Sequence, residues 1–254
     1  MRKKYTKKGT CIWCGRTEAD GATFFTEPHI VPHSLGGTEL GVDICDDCNH
    51  YFGKAPRAGM PSIDLCFKEI FNAFVTFGNN LNADTYKHFH SAFFSYHHST
   101  HQIKVRSNFN SRNITAQFKR GLYEVFLQKY HSVTGDGNNP IFDAVRKYAR
   151  YGEGYLHVYY AFNNILLVPK DKDYWKLPMN DTVIKEMMSS GIYLFWMAGH
   201  PFFLEVLPVV FNLYGQTYLQ KEANNLLINV KGDESIYEFN DVTQLDFFMQ
   251  RFNS

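Results

Sequence analysis

Three features predict an α+β fold for this chain of 254 residues. Two CxxC pairs, Cys11–Cys14 and Cys45–Cys48, are separated by 30 residues near the start. Helix-period stretches follow between residues 61 and 154, and from 155 onward β-branched and aromatic residues dominate. The expected organisation is therefore a zinc-knuckle segment at 1–60, a helix-rich basic segment at 61–154 and a β-rich acidic region at 155–254.

The first segment is justified by metal-ligand spacing. A CxxC pair places two thiolates on one tight turn, and two such turns complete the tetrahedral four-sulfur shell that structural Zn²⁺ prefers. The alternative is four scattered core thiols, which the paired spacing argues against. Cys66 is the only cysteine left over among five, and this usage fits a reducing compartment and not a disulfide framework. A cytoplasmic location is expected. The basic start (Arg2, Lys3, Lys4, Lys7, Lys8) runs into no apolar stretch, so it does not read as a signal peptide. Short strands are expected around residues 9–12 and 22–31, with a helix starting at Asp46. The Gly59-Met60-Pro61 stretch ends the segment.

In the second segment, Ser62–Phe77 reads as an amphipathic helix with Ile63, Cys66, Ile70, Phe74 and Phe77 inward. Ser62 is its N-cap and Gly78 its stop. Ala92–Tyr96 and His101–Val105 read as a hairpin. Helices follow over Ala116–Tyr130 and Pro140–Tyr151, the latter with Arg146, Lys147 and Arg150 outward. Residues 101–150 hold nine Lys or Arg against Glu124, Asp136 and Asp143, a local net charge of +6 in a chain whose total is +1. Such asymmetry suits a polyanion-binding face or a pair of solvated helix faces. The histidines His88, His90, His97, His98 and His101 read as surface positions and not as a second metal site.

In the third segment, strands are expected at Tyr155–Val168, Ile192–Met197, Phe202–Val206, Val209–Tyr218 and Leu226–Val230, with a C-terminal helix over Val242–Phe252. The apolar run Ile192–Gly215 is interrupted by His200, Pro201, Glu205, Pro208 and Asn212. That pattern predicts paired core strands and no membrane span. No Walker or dinucleotide-type glycine loop and no Gly-x-Ser-x-Gly elbow occurs.

Between the knuckles stands Glu27-Pro28-His29-Ile30-Val31-Pro32-His33-Ser34-Leu35-Gly36-Gly37, and Asn49 directly follows Cys48. The arrangement CxxC, His-Ile-Val-Pro…Ser-Leu-Gly-Gly, CxxC-Asn resembles the four-cysteine members of the HNH endonuclease family over roughly residues 9–60. A weaker likeness covers the helical pattern from Arg120 to Gly152. The resemblance implies a zinc-stabilised ββα-metal finger, in which a hairpin presents a histidine and the next helix a metal ligand. It implies DNA as substrate (RNA remaining open), His29 as general base, Asn49 on a catalytic Mg²⁺ or Mn²⁺, and the four cysteines on zinc. It also suggests a place among mobile elements, restriction or defence systems.

Elementary chemistry runs parallel: phosphodiester hydrolysis needs a base for water and a cation for the developing charge, and a histidine titrates near neutral pH. The sequence departs from the family pattern in two places. Pro28 stands where an acidic ligand commonly precedes the base, with Glu27 one residue early as a substitute ligand. Leu40 and Gly41 occupy the region of a bracing asparagine. For His29 the plainer role is bracing a knuckle, for Asn49 capping a helix, and for Trp13 packing on the hairpin or stacking on a base. The Lys3, Lys4, Lys7 and Lys8 arm and Arg146, Lys147 and Arg150 are the expected phosphate contacts. Two other outcomes stay open: a zinc finger that binds nucleic acid without cutting it, and a regulatory or structural protein with a zinc cap. In the nuclease reading the acidic C-terminal region is expected to serve dimerisation, regulation or docking to a partner.

Overall fold

The computed structural model describes residues 2–79, 89–97, 99–100, 102–161, 177–226 and 236–245. The chain is α+β, with two antiparallel sheets among the described residues.

In the knuckle segment the expected strands reduce to single bridges, Thr10 to Thr17 and His29 to Leu40. The backbone there is spent on knuckle turns and on side-chain acceptors, which leaves little for a ladder. The segment ends in α1 (Asp46–Gly53), capped by Cys45. Two long helices follow, α2 (Ile63–Asn79) and α3 (Ser111–Thr134). Ser62 caps α2 as expected, its Oγ accepting from the Leu65 N–H at 3.2 Å. Asn110 caps α3 through the Asn113 N–H. Between them lies the hairpin of β1 (Phe94–His97) and β2 (Gln102–Val105). Gly121 lets α2 and α3 approach closely, because a Cβ there would sit 3.1 Å from the Phe67 side chain.

The expected helix over 140–151 is one winding run of three forms: 3₁₀ at Pro140–Phe142, α at Asp143–Arg146 and π at Lys147–Tyr151. The carbonyls of Ala149 and Arg150, left over in the last turn of this run, both accept from the Arg120 guanidinium.

The second sheet runs β4–β5–β3–β6, made of β3 (Val158–Ala161), β4 (Ile192–Met197), β5 (His200–Glu205) and β6 (Ile236–Glu238). The apolar run does form paired core strands. β4 and β5 turn at Ala198 and Gly199, both at positive φ, as a two-residue hairpin requires. All of β5 is buried, and Phe202 packs on Phe118 of α3 at 5.6 Å between ring centroids. Before β4 comes α4 (Asp181–Ser190), capped by Asn180.

The strand expected at Val209–Tyr218 is instead helical, through Pro208–Val210, a π turn at Phe211–Gly215 and α5 (Gln216–Leu226). Pro208 at the first helical position starts this helix, and the chain's β-branched residues there misled the periodicity. Leu226 ends α5, and the rest of the strand expected at 226–230 lies outside the described residues. So do most of the C-terminal helix expected at 242–252, of which Val242–Gln244 is a 3₁₀ turn, and residues 162–168 of the first expected strand. His88, His98 and His101 also fall outside, whereas His90 and His97 are exposed.

One buried cluster joins knuckle residues such as Ile12 and Phe24 to α2, α3 and the larger sheet. No described helix is long and apolar enough to cross a membrane.

Candidate active site

The knuckle segment rests on a polar stripe of α3. Gln117, Arg120, Glu124, Gln128 and His131 recur at helical spacing, and all five are buried. Gln117 donates to the Pro61 carbonyl at 2.8 Å, and Arg120 reaches the Tyr51 hydroxyl of α1 at 2.7 Å. His131 Nε2 lies 2.9 Å from Asp43 Oδ2. Two of the nine cationic residues counted in the basic segment, Lys119 and Arg120, are thus buried and unavailable to a solvent-facing polyanion.

The four cysteine sulfurs lie within 4.8 Å of one another, and among the described residues they are the only such group of potential ligands. Cys14 Sγ and Cys45 Sγ are 3.7 Å apart. A tetrahedral zinc with Zn–S bonds of about 2.3 Å demands sulfur separations of roughly 3.8 Å, so the donor set fits zinc. N–H donors surround the cluster: Arg16 Nε on Cys14, Arg150 Nε on Cys48 and the Cys45 amide on Cys11. Such bonds suit sulfur that carries negative charge.

The insert between the knuckles is fixed at both ends. The Asp46 carboxylate receives the Thr23 hydroxyl at 2.6 Å and the backbone N–H groups of Phe25 and Thr26 at 2.8 and 2.7 Å. Burial pushes this acid up, but those bonds outweigh it and hold it below the usual carboxylate range. Asp46 thereby pins the strand-like stretch leading to His29 onto α1. On the far side, Ile30 N–H bonds Glu39 O and Gly41 N–H bonds Pro28 O at 2.7 Å. Gly37 is required by crowding, since a Cβ would meet the Val31 carbonyl oxygen at 2.1 Å.

These supports aim His29 at a cavity of about 230 Å³. Its polar lining is Glu27, His29, His33, Asn49, Asp64 and Glu124, and Ile30, Pro32, Phe67 and Val125 form the apolar wall. His29 is half-buried, with the His33 ring edge-on at 5.4 Å, and Glu27 is exposed. Three of the residues expected at the site, His29, Asn49 and Glu27, are brought to one place. Asn49 lies in the second turn of α1, whose N-cap is Cys45, so it is not the cap of that helix. Pro28 is buried. Trp13 is buried edge-on against Phe52 at 4.9 Å, a packing position and not a stacking platform. His33 and His50 face solvent.

Asp64 and Glu124 were not placed at the site by the sequence, and both line this cavity, close enough for each to shift the other's titration. Burial pushes Asp64 up to about 6, the bond from Glu124 pulling back; Glu124 is driven well above its ordinary value by burial and by the neighbouring Asp64 charge. In the sequence, Asp64 reads as a first-turn helix acid and Glu124 as one of three acids in a basic stretch. The available signal was the i, i+3, i+4 polar stripe on α3, whose apolar flanks leave a charged residue inside.

The cationic residues expected on phosphate divide. Arg146, Lys147 and Tyr151 line a second, more open hollow of about 320 Å³ beside Trp13 and Cys14. Arg146 is bound to the carbonyls of Gly137 and Asn139 and to Asp143. Arg150 stacks on Tyr51 at 3.5 Å. Lys7 and Lys8 present exposed side chains, their backbone N–H groups held by Asp43, whereas Lys4 pairs with Glu18 at 2.6 Å and Lys3 lies over Tyr5.

No curated protein and no solved structure matches this chain. The stretch holding both knuckles, the His29 loop and α1, residues 11–58, matches the HNH endonuclease family.

Proposed function

We propose that the protein is a metal-dependent endonuclease that hydrolyses phosphodiester bonds in DNA. The observation that carries this reading is the single cavity into which His29, Asn49 and carboxylates converge, inside a stretch that matches the HNH endonuclease family. His29 would take the proton of an attacking water. Asn49, with Glu27 at the rim, would help hold a Mg²⁺ or Mn²⁺ ion, a hard cation for which an oxygen-rich lining with room for water is suited. That ion would supply charge neutralisation at the scissile phosphate. Zinc on Cys11, Cys14, Cys45 and Cys48 would hold the finger rigid and take no part in the reaction.

Exposed Lys147, Lys7 and Lys8, with Arg146 and Arg150 beside the first knuckle, would bind backbone phosphates with little regard to sequence. Five free cysteines suit a cytoplasmic setting. A role in defence or mobile elements, and a homodimer or partner bound through the C-terminal region, belong to this reading as well. Pro28 supports a second one, a nucleic-acid-binding finger without cleavage, since it occupies the acid's usual place.

The test is incubation of zinc-loaded protein with supercoiled plasmid and with RNA, under Mg²⁺, Mn²⁺ or EDTA, beside His29→Ala. Metal-dependent nicking of plasmid by the wild type alone is expected. Salt-dependent binding with every substrate intact would favour the non-cleaving finger.

A further inference from the structure

We propose that Asp64, from the first turn of α2, and Glu124, from the middle of α3, supply the divalent ion with the carboxylates that the finger loop lacks at Pro28. This rests on the nuclease reading and deepens it, because it moves half of the ion site outside the stretch that matches the family.

Four observations carry it. Both residues line the cavity onto which His29 and Asn49 open. Pro28 does not line it; its carbonyl closes the hairpin by accepting from the Gly41 N–H at 2.7 Å. An acid at the site must therefore come from elsewhere. The only finger carboxylate on the lining, Glu27, is exposed at the rim.

Next, the pair is poorly explained as structure. Two neighbouring carboxyl groups, Glu124 buried and Asp64 half-buried, cost stability unless a cation joins them, and apolar side chains would pack there at less cost. Arg120 lies near enough to be felt by Glu124, yet directs its N–H groups to Ala149 O, Arg150 O, Gln117 and Tyr51.

Finally, Gln128 orients the pair and carries an orphaned acceptor. Its Nε2 donates to Glu124 Oε1 at 3.0 Å, and its own buried Oε1 has no hydrogen-bond partner among the described residues. Gln128 sits against the His29 loop, where its Oε1 lies 3.4 Å from the place a Cβ on Gly41 would take. Two carboxyl groups and the Asn49 side chain on one lining form a donor set suited to a hydrated hard cation, with Gln128 bracing Glu124 from behind. Both acids stand on packed helices, which is where a site of fixed geometry is best built.

The experiment is Mn²⁺ titration of zinc-loaded protein, followed by electron paramagnetic resonance of free Mn²⁺ and by thermal melting. The samples are wild type, Asp64→Asn, Glu124→Gln and Glu27→Ala, with zinc content measured in each. Expected is an Mn²⁺-dependent rise in Tm for wild type and Glu27→Ala. Asp64→Asn and Glu124→Gln should lose that rise and bind Mn²⁺ about tenfold more weakly or worse, with stoichiometric zinc retained. Both amide variants should also melt higher than wild type without Mn²⁺, since each removes one of two neighbouring carboxyl groups, and this shows that they fold. Wild-type affinity for Mn²⁺ in Asp64→Asn and Glu124→Gln would overturn the proposal even if plasmid cleavage persists. Cleavage absent from wild type, with Mn²⁺ still lost in the two variants, would sink the nuclease reading and leave the ion site standing.

Discussion

His131 on α3 donates its Nε2–H to Asp43 Oδ2 across 2.9 Å, and both side chains are fully buried. The tautomer is fixed because Nδ1 accepts the Gly137 N–H at 2.9 Å. Asp43 also receives the backbone N–H groups of Lys7, Lys8 and Gly9, and it sits at a φ of 57° just ahead of the second knuckle. One carboxylate thereby ties the N-terminal arm, the knuckle and α3 together. Removing it strands the buried His131 donor and three part-buried backbone donors, so Asp43→Ala should cost about 3 kcal/mol or more. Asp43→Asn, which tolerates the left-handed backbone and keeps one acceptor oxygen, should cost less. Denaturant melts of the three proteins check the order.

Zinc removal should loosen the finger and leave the rest folded longer. The four sulfurs bring together turns 30 residues apart in sequence, and no ladder substitutes for them. Cys45→Ser, or chelation, should lower Tm by several degrees and increase amide exchange in residues 11–58 before that in the sheet. Unchanged Tm and exchange would contradict a structural metal.

Alkaline pH should unfold the protein through its buried phenols. Tyr123 is fully buried and donates to His157 O at 2.8 Å, and burial holds it well above the ordinary value of 10.0; burial likewise pushes Tyr148 up to about 12. A raised folded value means that the neutral phenol is the one stabilised. The contribution is therefore full below pH 10 and is lost as pH rises above it. Ultraviolet absorbance of phenolate should rise in two phases, the second coinciding with loss of circular dichroism. Tyr123→Phe should move that second phase to higher pH.

Nucleic-acid binding should depend on the hollow beside the first knuckle more than on the helix faces at large. Lys147 is exposed there, whereas Lys119 and Arg120 are buried. Lys147→Glu should weaken binding to a DNA duplex and flatten the slope of log K against log salt by about one unit or more. Stability should be unaffected. An unchanged slope would place the phosphate contacts elsewhere.

The parts of this molecule that were legible in sequence are those governed by local rules. Ser62 caps its helix as its chemistry dictates, although the helix runs through the expected stop at Gly78 to Asn79; the CxxC pairs meet, and His29 and Asn49 reach one cavity. What escaped was the meaning of the polar stripe on α3. An amphipathic reading turns Arg120, Glu124 and Gln128 toward water, but the finger lies on that face and buries them. Whether a helix face meets solvent or a second element is a long-range fact, and no periodicity encodes it. The same limit hid Asp64 opposite Glu124, two residues 60 positions apart in the chain. Val209–Tyr218 failed for a different reason: β-branched composition outvoted Pro208, whose fixed φ starts a helix.

The central claim is that His29 serves as the base of a phosphodiester hydrolase. It is tested most directly by single-turnover nicking of supercoiled plasmid with zinc-loaded wild type and His29→Ala at saturating Mn²⁺, with and without added imidazole. The account predicts a loss of about 100-fold or more in the variant, no change in DNA affinity, and partial recovery of rate when imidazole is supplied. Equal nicking by wild type and His29→Ala would contradict it.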